Sequence, residues 1–153
     1  MSIEQRVAEL GIELPSPPIP KGHYITYRQV GDLLYLTGVV GTHNGEQLHR
    51  GKVGAAVTLE QAQEAARQCA LNHLSIIRDA LGSLDQVEAF VKMTGYINAA
   101  PGFLEMPRVL NGASDLFVEL FGDAGRHVRA AIGIAEIGNE HPVETDLIVQ
   151  VKS

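Results

Sequence analysis

From His127 to Val151 the chain reads HVRAAIGIAEIGNEHPVETDLIVQV, and two runs within it alternate. Val128, Ala130, Ile132 and Ile134 interleave with Arg129, Ala131, Gly133 and Ala135. Beyond a Gly138-Asn139 break, Val143, Thr145, Leu147, Val149 and Val151 interleave with Glu144, Asp146, Ile148 and Gln150. A period of two belongs to a strand with unlike faces, so the chain is expected to end in two strands. In the first, one face is bulky and apolar, and the other carries a single guanidinium among very small residues. Small neighbours leave open space beside Arg129, and a permanently charged planar fork in open space suits a carboxylate better than a packed core. The alternation also permits Arg129 and Glu144 to share one sheet face. A simple hairpin turning at Gly138-Asn139, however, sets Arg129 opposite roughly Ile148. Solvated strand residues or a surface ion pair account for the spacing as well.

Working back from this stretch, Met106 to Phe121 has an apolar stripe of Val109, Leu110, Ala113, Leu116, Phe117, Leu120 and Phe121, which predicts a helix ended by Gly122 and Gly125. Ala100-Pro101-Gly102 breaks the chain before it. Val87, Ala89, Val91 and Met93 alternate with Glu88, Phe90, Lys92 and Thr94, a strand running to about Asn98. Thr58 with Gln61 is a capping box, and Ala62, Ala66, Cys69, Leu74, Ile77 and Leu81 then recur at helical steps until Gly82. Gly38, Gly41, Gly45 and Gly51, with His43, Asn44 and His49, predict an irregular segment. Tyr24–Val30 and Leu33–Thr37 are β-rich runs around Gly31-Asp32, a hairpin turn pair. Leu14 to Lys21, with four prolines, lacks the donors for a ladder and predicts an extended strap. Ser2 with Gln5 caps a short opening helix bearing Ile3, Val7 and Leu10.

The order after that helix is β-β-α-β-α-β-β. Strands separated by helices need crossovers and directly joined strands make hairpins, so the expected class is α+β, a mixed sheet with both main helices on one face. Several strands are apolar on both sides (Leu33 to Leu36, Ile132 to Ile134, Leu147 to Val149), so the bare face is expected to pack on another copy.

At 153 residues and 45% hydrophobic, the chain suits one domain spanning 1–153, with residues 1–21 forming the opening helix and strap. A formal charge of −6 with no basic run argues against a nucleic-acid partner. Cys69 is the single cysteine, which excludes an intrachain disulfide, and it falls on an apolar helix face as a buried thiol would. No signal-like amino terminus or membrane-length apolar run occurs, which predicts a cytoplasmic protein with no membrane partner.

The six histidines show no His-x-x-x-His or His-x-His spacing, so no metal is expected. No Gly-x-Ser-x-Gly elbow occurs. His73 reads as a partly buried helix residue. Tyr24, Thr37, Gly38, Arg129 and Glu144 remain as candidates, and each has an ordinary structural reading when taken alone.

Together they resemble the RidA/YjgF family. The resemblance lies in Gly22-His23-Tyr24, in Gly31 to Gly38 (GDLLYLTG), in Val91 to Ile97 (VKMTGYI), and in Arg129 with Glu144, and it covers about Gly22 to the carboxyl terminus. It is closest to the longer-chain branch, whose members carry an opening helix and Pro-rich strap and are often labelled translation-inhibiting endoribonucleases. The resemblance implies a chorismate-mutase-like fold, a homotrimer and three clefts between subunits. It further implies hydrolysis of reactive enamines and imines to 2-keto acids and ammonia without metal or organic cofactor. Arg129 matches the family's carboxylate-clamping arginine, Glu144 its cleft glutamate and Tyr24 its cleft tyrosine, while Thr37, followed by Gly38, stands where a serine is usual. Asn111 and Ser114 are both available for the family's cleft asparagine. Ala131 replaces a common cysteine, Ile137-Gly138 replaces Leu-Pro, and Val39 and Gly41 replace Gln and Pro.

The resulting expectation is a cofactor-independent deaminase. Arg129 clamps the carboxylate of a small 2-imino acid, Thr37 and nearby backbone groups position a water, and Glu144 or that water relays the proton. Ala131 and Gly133 imply a widened pocket beside Arg129. The alternative is a non-catalytic trimer that binds a 2-keto acid or related small carboxylate. An endoribonuclease fits least well, because the chain is acidic and has neither a histidine pair nor a basic groove.

Overall fold

A computed structural model describes residues 1–153. Helix α1 (Ile3–Glu9) starts at the reciprocal Ser2/Gln5 capping box and sends Val7 into the core. Strands β1 (Tyr27–Val30) and β2 (Leu33–Val40) form the expected hairpin across Gly31, whose φ is 61°. Strand β1 begins three residues later than the sequence indicates, and β2 runs three residues longer. The segment expected to be irregular holds a small hairpin, β3 (Thr42–His43) and β4 (Glu46–Gln47), turning at Asn44-Gly45. Both turn residues have positive φ, 50° and 86°, as a tight Asn-Gly turn requires.

Helix α2 (Leu59–Leu81) carries the Thr58/Gln61 box and stops at left-handed Gly82. Helix α3 (Met106–Phe121) follows β5 (Val87–Asn98), and β6 (Val128–Ile134) and β7 (Val143–Val151) complete the chain. The two long helices cross closely because Gly112 of α3 lies against the carbonyl of Gln63 in α2. Thirty buried apolar residues form the core between helices and sheet. No helix is long and apolar enough to cross a membrane.

The five-stranded sheet has the order β1-β2-β7-β5-β6, with β5 and β6 parallel and the other neighbours antiparallel. The final pair is therefore not a hairpin. Arg129 pairs with Met93, and Ile148 lies between Lys92 and Tyr35. Burial explains the arrangement. Val143, Thr145, Leu147, Val149 and Val151 are all buried, and a strand with an unbroken apolar face belongs at the centre. Strand β6 carries glycine and arginine and takes the edge.

The same register corrects a second expectation. Arg129 shares a face with Met93, on the helix side, whereas Glu144 pairs with Tyr96 on the opposite side from the buried Thr145. Arg129 and Glu144 of one chain thus lie on opposite faces. The bulky side of β6 points away from the helices: Val128 and Ile132 are 66% and 45% exposed, with Val30 and Tyr35 of the first hairpin at 61% and 44%. Beside Arg129, Gly133 is exposed, with room for a methyl group at ordinary contact distance. Ala131 packs against the core, and a Cβ on Gly133 would sit 3.6 Å from both Ala99 and Met106.

Candidate functional site

Strand β2 is interrupted between Leu36 and Val39, where its pairing with β7 shifts register. An irregularity of this kind re-aims side chains, and here it holds Thr37 and Gly38. Glu144 stands over the gap: a Cβ built on Gly38 would lie 2.9 Å from its Oε2. Glycine is the residue that leaves room for the carboxylate. Tyr24, Thr37, Gly38 and Glu144 all line one cavity of about 850 Å³.

Several walls of that cavity come from residues that the sequence reading left out. The strap Ser16–Lys21 closes one side, anchored by the Ser16 N–H donating to Asn44 Oδ1 (2.8 Å) and by the Ser75 hydroxyl donating to the Pro15 carbonyl (2.6 Å). Asn72, whose amide donates to the Val40 and Thr42 carbonyls, and His141 complete it. Asn44-Gly45 carries a recognisable turn signal. Asn72 and His141 carry none, because each reaches the cavity only through tertiary packing.

Burial, and secondarily the neighbouring Asp146 charge, raises the Glu144 pKa above the usual carboxyl value. Asp146 is itself engaged by the Tyr96 hydroxyl, which donates to its Oδ2 at 3.1 Å. His141 is shifted the other way, lowered by burial and then by the Arg50 and Lys21 charges, and its buried Nδ1 has no partner within the protein. A carboxyl inclined to keep its proton and an imidazole inclined to stay neutral thus face one cavity.

On the opposite face, Arg129 reaches the start of α3. Its Nη1 donates to Asn111 Oδ1 (2.9 Å) and to Ser114 Oγ (3.1 Å), and its Nη2 donates to the Pro107 carbonyl (3.2 Å). Asn111 and Ser114, the two alternatives for one role, therefore hold the guanidinium together. These bonds use three of the five N–H donors and leave one on Nε and one on Nη2. The residue remains exposed, so these two donors are free to take a planar anion.

The remaining candidates are structural. His73 is fully buried rather than partly so, hydrogen-bonded to Thr145 Oγ1 at 2.9 Å, and its pKa falls to about 3 through burial. Burial pushes the Cys69 thiol up to about 12, which leaves it protonated and unreactive. No three His, Cys, Asp or Glu side chains converge on a common point.

Comparison with known proteins gives the family and the fold. Residues 4–138 match the family described as "YjgF/chorismate_mutase-like, putative endoribonuclease". Protein TCP17 of Trypanosoma cruzi is 36% identical over 152 residues, spanning 99% of this chain and 95% of its own. The crystal structure of Atu1372 from Agrobacterium tumefaciens, a protein of unknown function, is 37% identical with a TM-score of 0.90, covering 99% of this chain and 92% of that one. A Shewanella oneidensis structure described as "a putative endoribonuclease" is 30% identical with a TM-score of 0.95, covering 99% and 100%. The mixed sheet with its helices on one face is the chorismate-mutase-like fold of these relatives, and the chain belongs to the RidA/YjgF family.

Proposed function

We propose that the protein hydrolyses small reactive 2-imino acids and their enamine tautomers to 2-keto acids and ammonia, at a site completed between two copies of the chain. The observation that carries this reading is the Arg129 fork, braced by Asn111, Ser114 and Pro107 yet exposed with two donors unused. It is a preset clamp for a carboxylate and needs little reordering to bind one. Glu144, on the wall of the cavity that Thr37 and Tyr24 also line, points to the other face of the same sheet from Arg129, so a clamp and a carboxyl that act together are best supplied by different protomers. The exposed apolar side chains Val30, Tyr35, Val128 and Ile132 supply a surface for that association, and a homotrimer is the assembly the family resemblance favours.

The chemistry needs orientation more than force. With the carboxylate on Arg129, a water held by Thr37 adds to C2 of the imine. The C=N π pair moves to nitrogen, which takes a proton from the Glu144 carboxyl. The added water gives one proton back to Glu144, forming the neutral carbinolamine. Glu144 then protonates the amine, the C–N bond breaks, ammonia leaves, and the remaining hydroxyl proton returns to Glu144 as the keto group forms. The raised pKa suits Glu144 to the first of these transfers.

Generating the imine in situ with an amino-acid oxidase and following ammonia release tests the reading. Native protein should accelerate release, and Arg129→Ala should lose the acceleration; equal rates would overturn it. A non-catalytic carboxylate binder predicts Arg129-dependent thermal stabilisation by 2-ketobutyrate with no imine consumed.

A further inference from the structure

The contacts behind Arg129 have a fixed direction, and His127 sets it. Its Nδ1 lies 2.7 Å from the Gly125 carbonyl oxygen, which can only accept, so Nδ1 carries the proton. In the neutral ring Nε2 is then an acceptor, 2.9 Å from Ser114 Oγ. The Ser114 hydroxyl must give its single proton to Nε2. That turns its lone pairs toward Arg129 Nη1, 3.1 Å away on the other side. The ring itself is half-buried and packed edge-on against Phe117, with centroids 5.8 Å apart. Burial, and then the Arg129 charge, lowers its pKa and keeps it in the neutral form that this chain of bonds requires.

We propose that His127 is a positioning residue for the carboxylate site: acting through Ser114, it holds the Arg129 guanidinium in its binding orientation. The inference rests on the reading of Arg129 as a clamp. Without an acceptor at Nε2, the serine hydroxyl is free to rotate and aim its proton at the guanidinium, where donor meets donor. Arg129 then loses one of its three braces and must be ordered by the ligand itself. The cost falls on carboxylate binding and leaves the Glu144 side of the reaction untouched.

Affinity for 2-ketobutyrate, measured by calorimetry on the full-length protein, tests this together with KM and kcat for the imine. His127→Leu should weaken binding and raise KM about tenfold while kcat changes by less than about twofold, as expected for a lost hydrogen bond to a charged group. Ser114→Ala should do the same, and the double variant should be no worse than either single one, because both break one chain. His127→Gln, which can place an amide oxygen near the former Nε2, should restore most of the affinity; a purely structural histidine would not be rescued in this way. If His127→Leu does not fold, Ser114→Ala carries the test alone. Native affinity in either His127→Leu or Ser114→Ala, alongside lost binding in Arg129→Ala, overturns the relay and spares the clamp. Native affinity in Arg129→Ala overturns both.

Discussion

Gly38 shows most sharply how a single residue shapes the cavity. Its missing side chain is what allows the Glu144 carboxylate to stand 2.9 Å from the Cβ position, at the break in β2. Gly38→Ala is therefore expected to displace the carboxylate, cutting kcat about tenfold or more, with a melting temperature close to native because the strand φ/ψ need not change. Steady-state kinetics alongside a melting curve would check both halves. At this scale the sequence was informative where a residue sat in a regular pattern. Arg129 and Glu144 stood out from alternating runs, and Tyr24 and Thr37 from their place around a turn pair. His141, Asn72 and the strap Ser16–Lys21 were not legible as cavity walls. Their positions follow from how separate loops dock, and no local pattern encodes that.

Elements were the most legible level, and their pairing the least. The Thr58/Gln61 box predicted the start of α2, and both of its reciprocal bonds are present. Thr58→Ala should lower unfolding stability by about 1 kcal/mol in urea titrations. Gly112→Ala should cost more, about 1–3 kcal/mol, since a Cβ there meets the Gln63 carbonyl and forces α2 and α3 apart. Alternation identified β6 and β7 as strands but carried no information about partners. A two-residue period is satisfied equally by a hairpin and by two strands separated by a third. What decided the outcome was the continuous burial of β7, which drew it between β2 and β5 and left Arg129 and Glu144 on opposite faces.

The molecule as a whole should be sensitive to acid. His73 titrates near 6.5 when unfolded and near 3 in the native state, so below pH 6.5 the unfolded chain binds the extra proton. Stability then falls as pH drops from about 6.5 toward 3, by up to about 1.4 kcal/mol per unit. The lowered pKa values of His127 and His141 act in the same direction, and the raised value of Glu144 opposes them. His73→Gln should flatten the dependence by about one proton, as read from denaturant midpoints across this range. Of the runs read as apolar on both sides, Tyr35 and Ile132 are exposed on the face away from the helices, joined there by Val30 and Val128. Ile132→Asp should accordingly shift the mass in solution toward monomer and abolish imine hydrolysis, as light scattering and ammonia release would register.

The central claim is that Arg129 of one copy and Glu144 of another make one site, and co-expression tests it directly. Arg129→Ala and Glu144→Gln proteins, each prepared alone, should release almost no ammonia from the imine. Mixed assemblies of the two should recover about a quarter of native activity, because random association places an intact arginine and an intact glutamate at about one interface in four. Mixed assemblies as inactive as the single variants, or Arg129→Ala alone releasing ammonia at the native rate, would contradict the account.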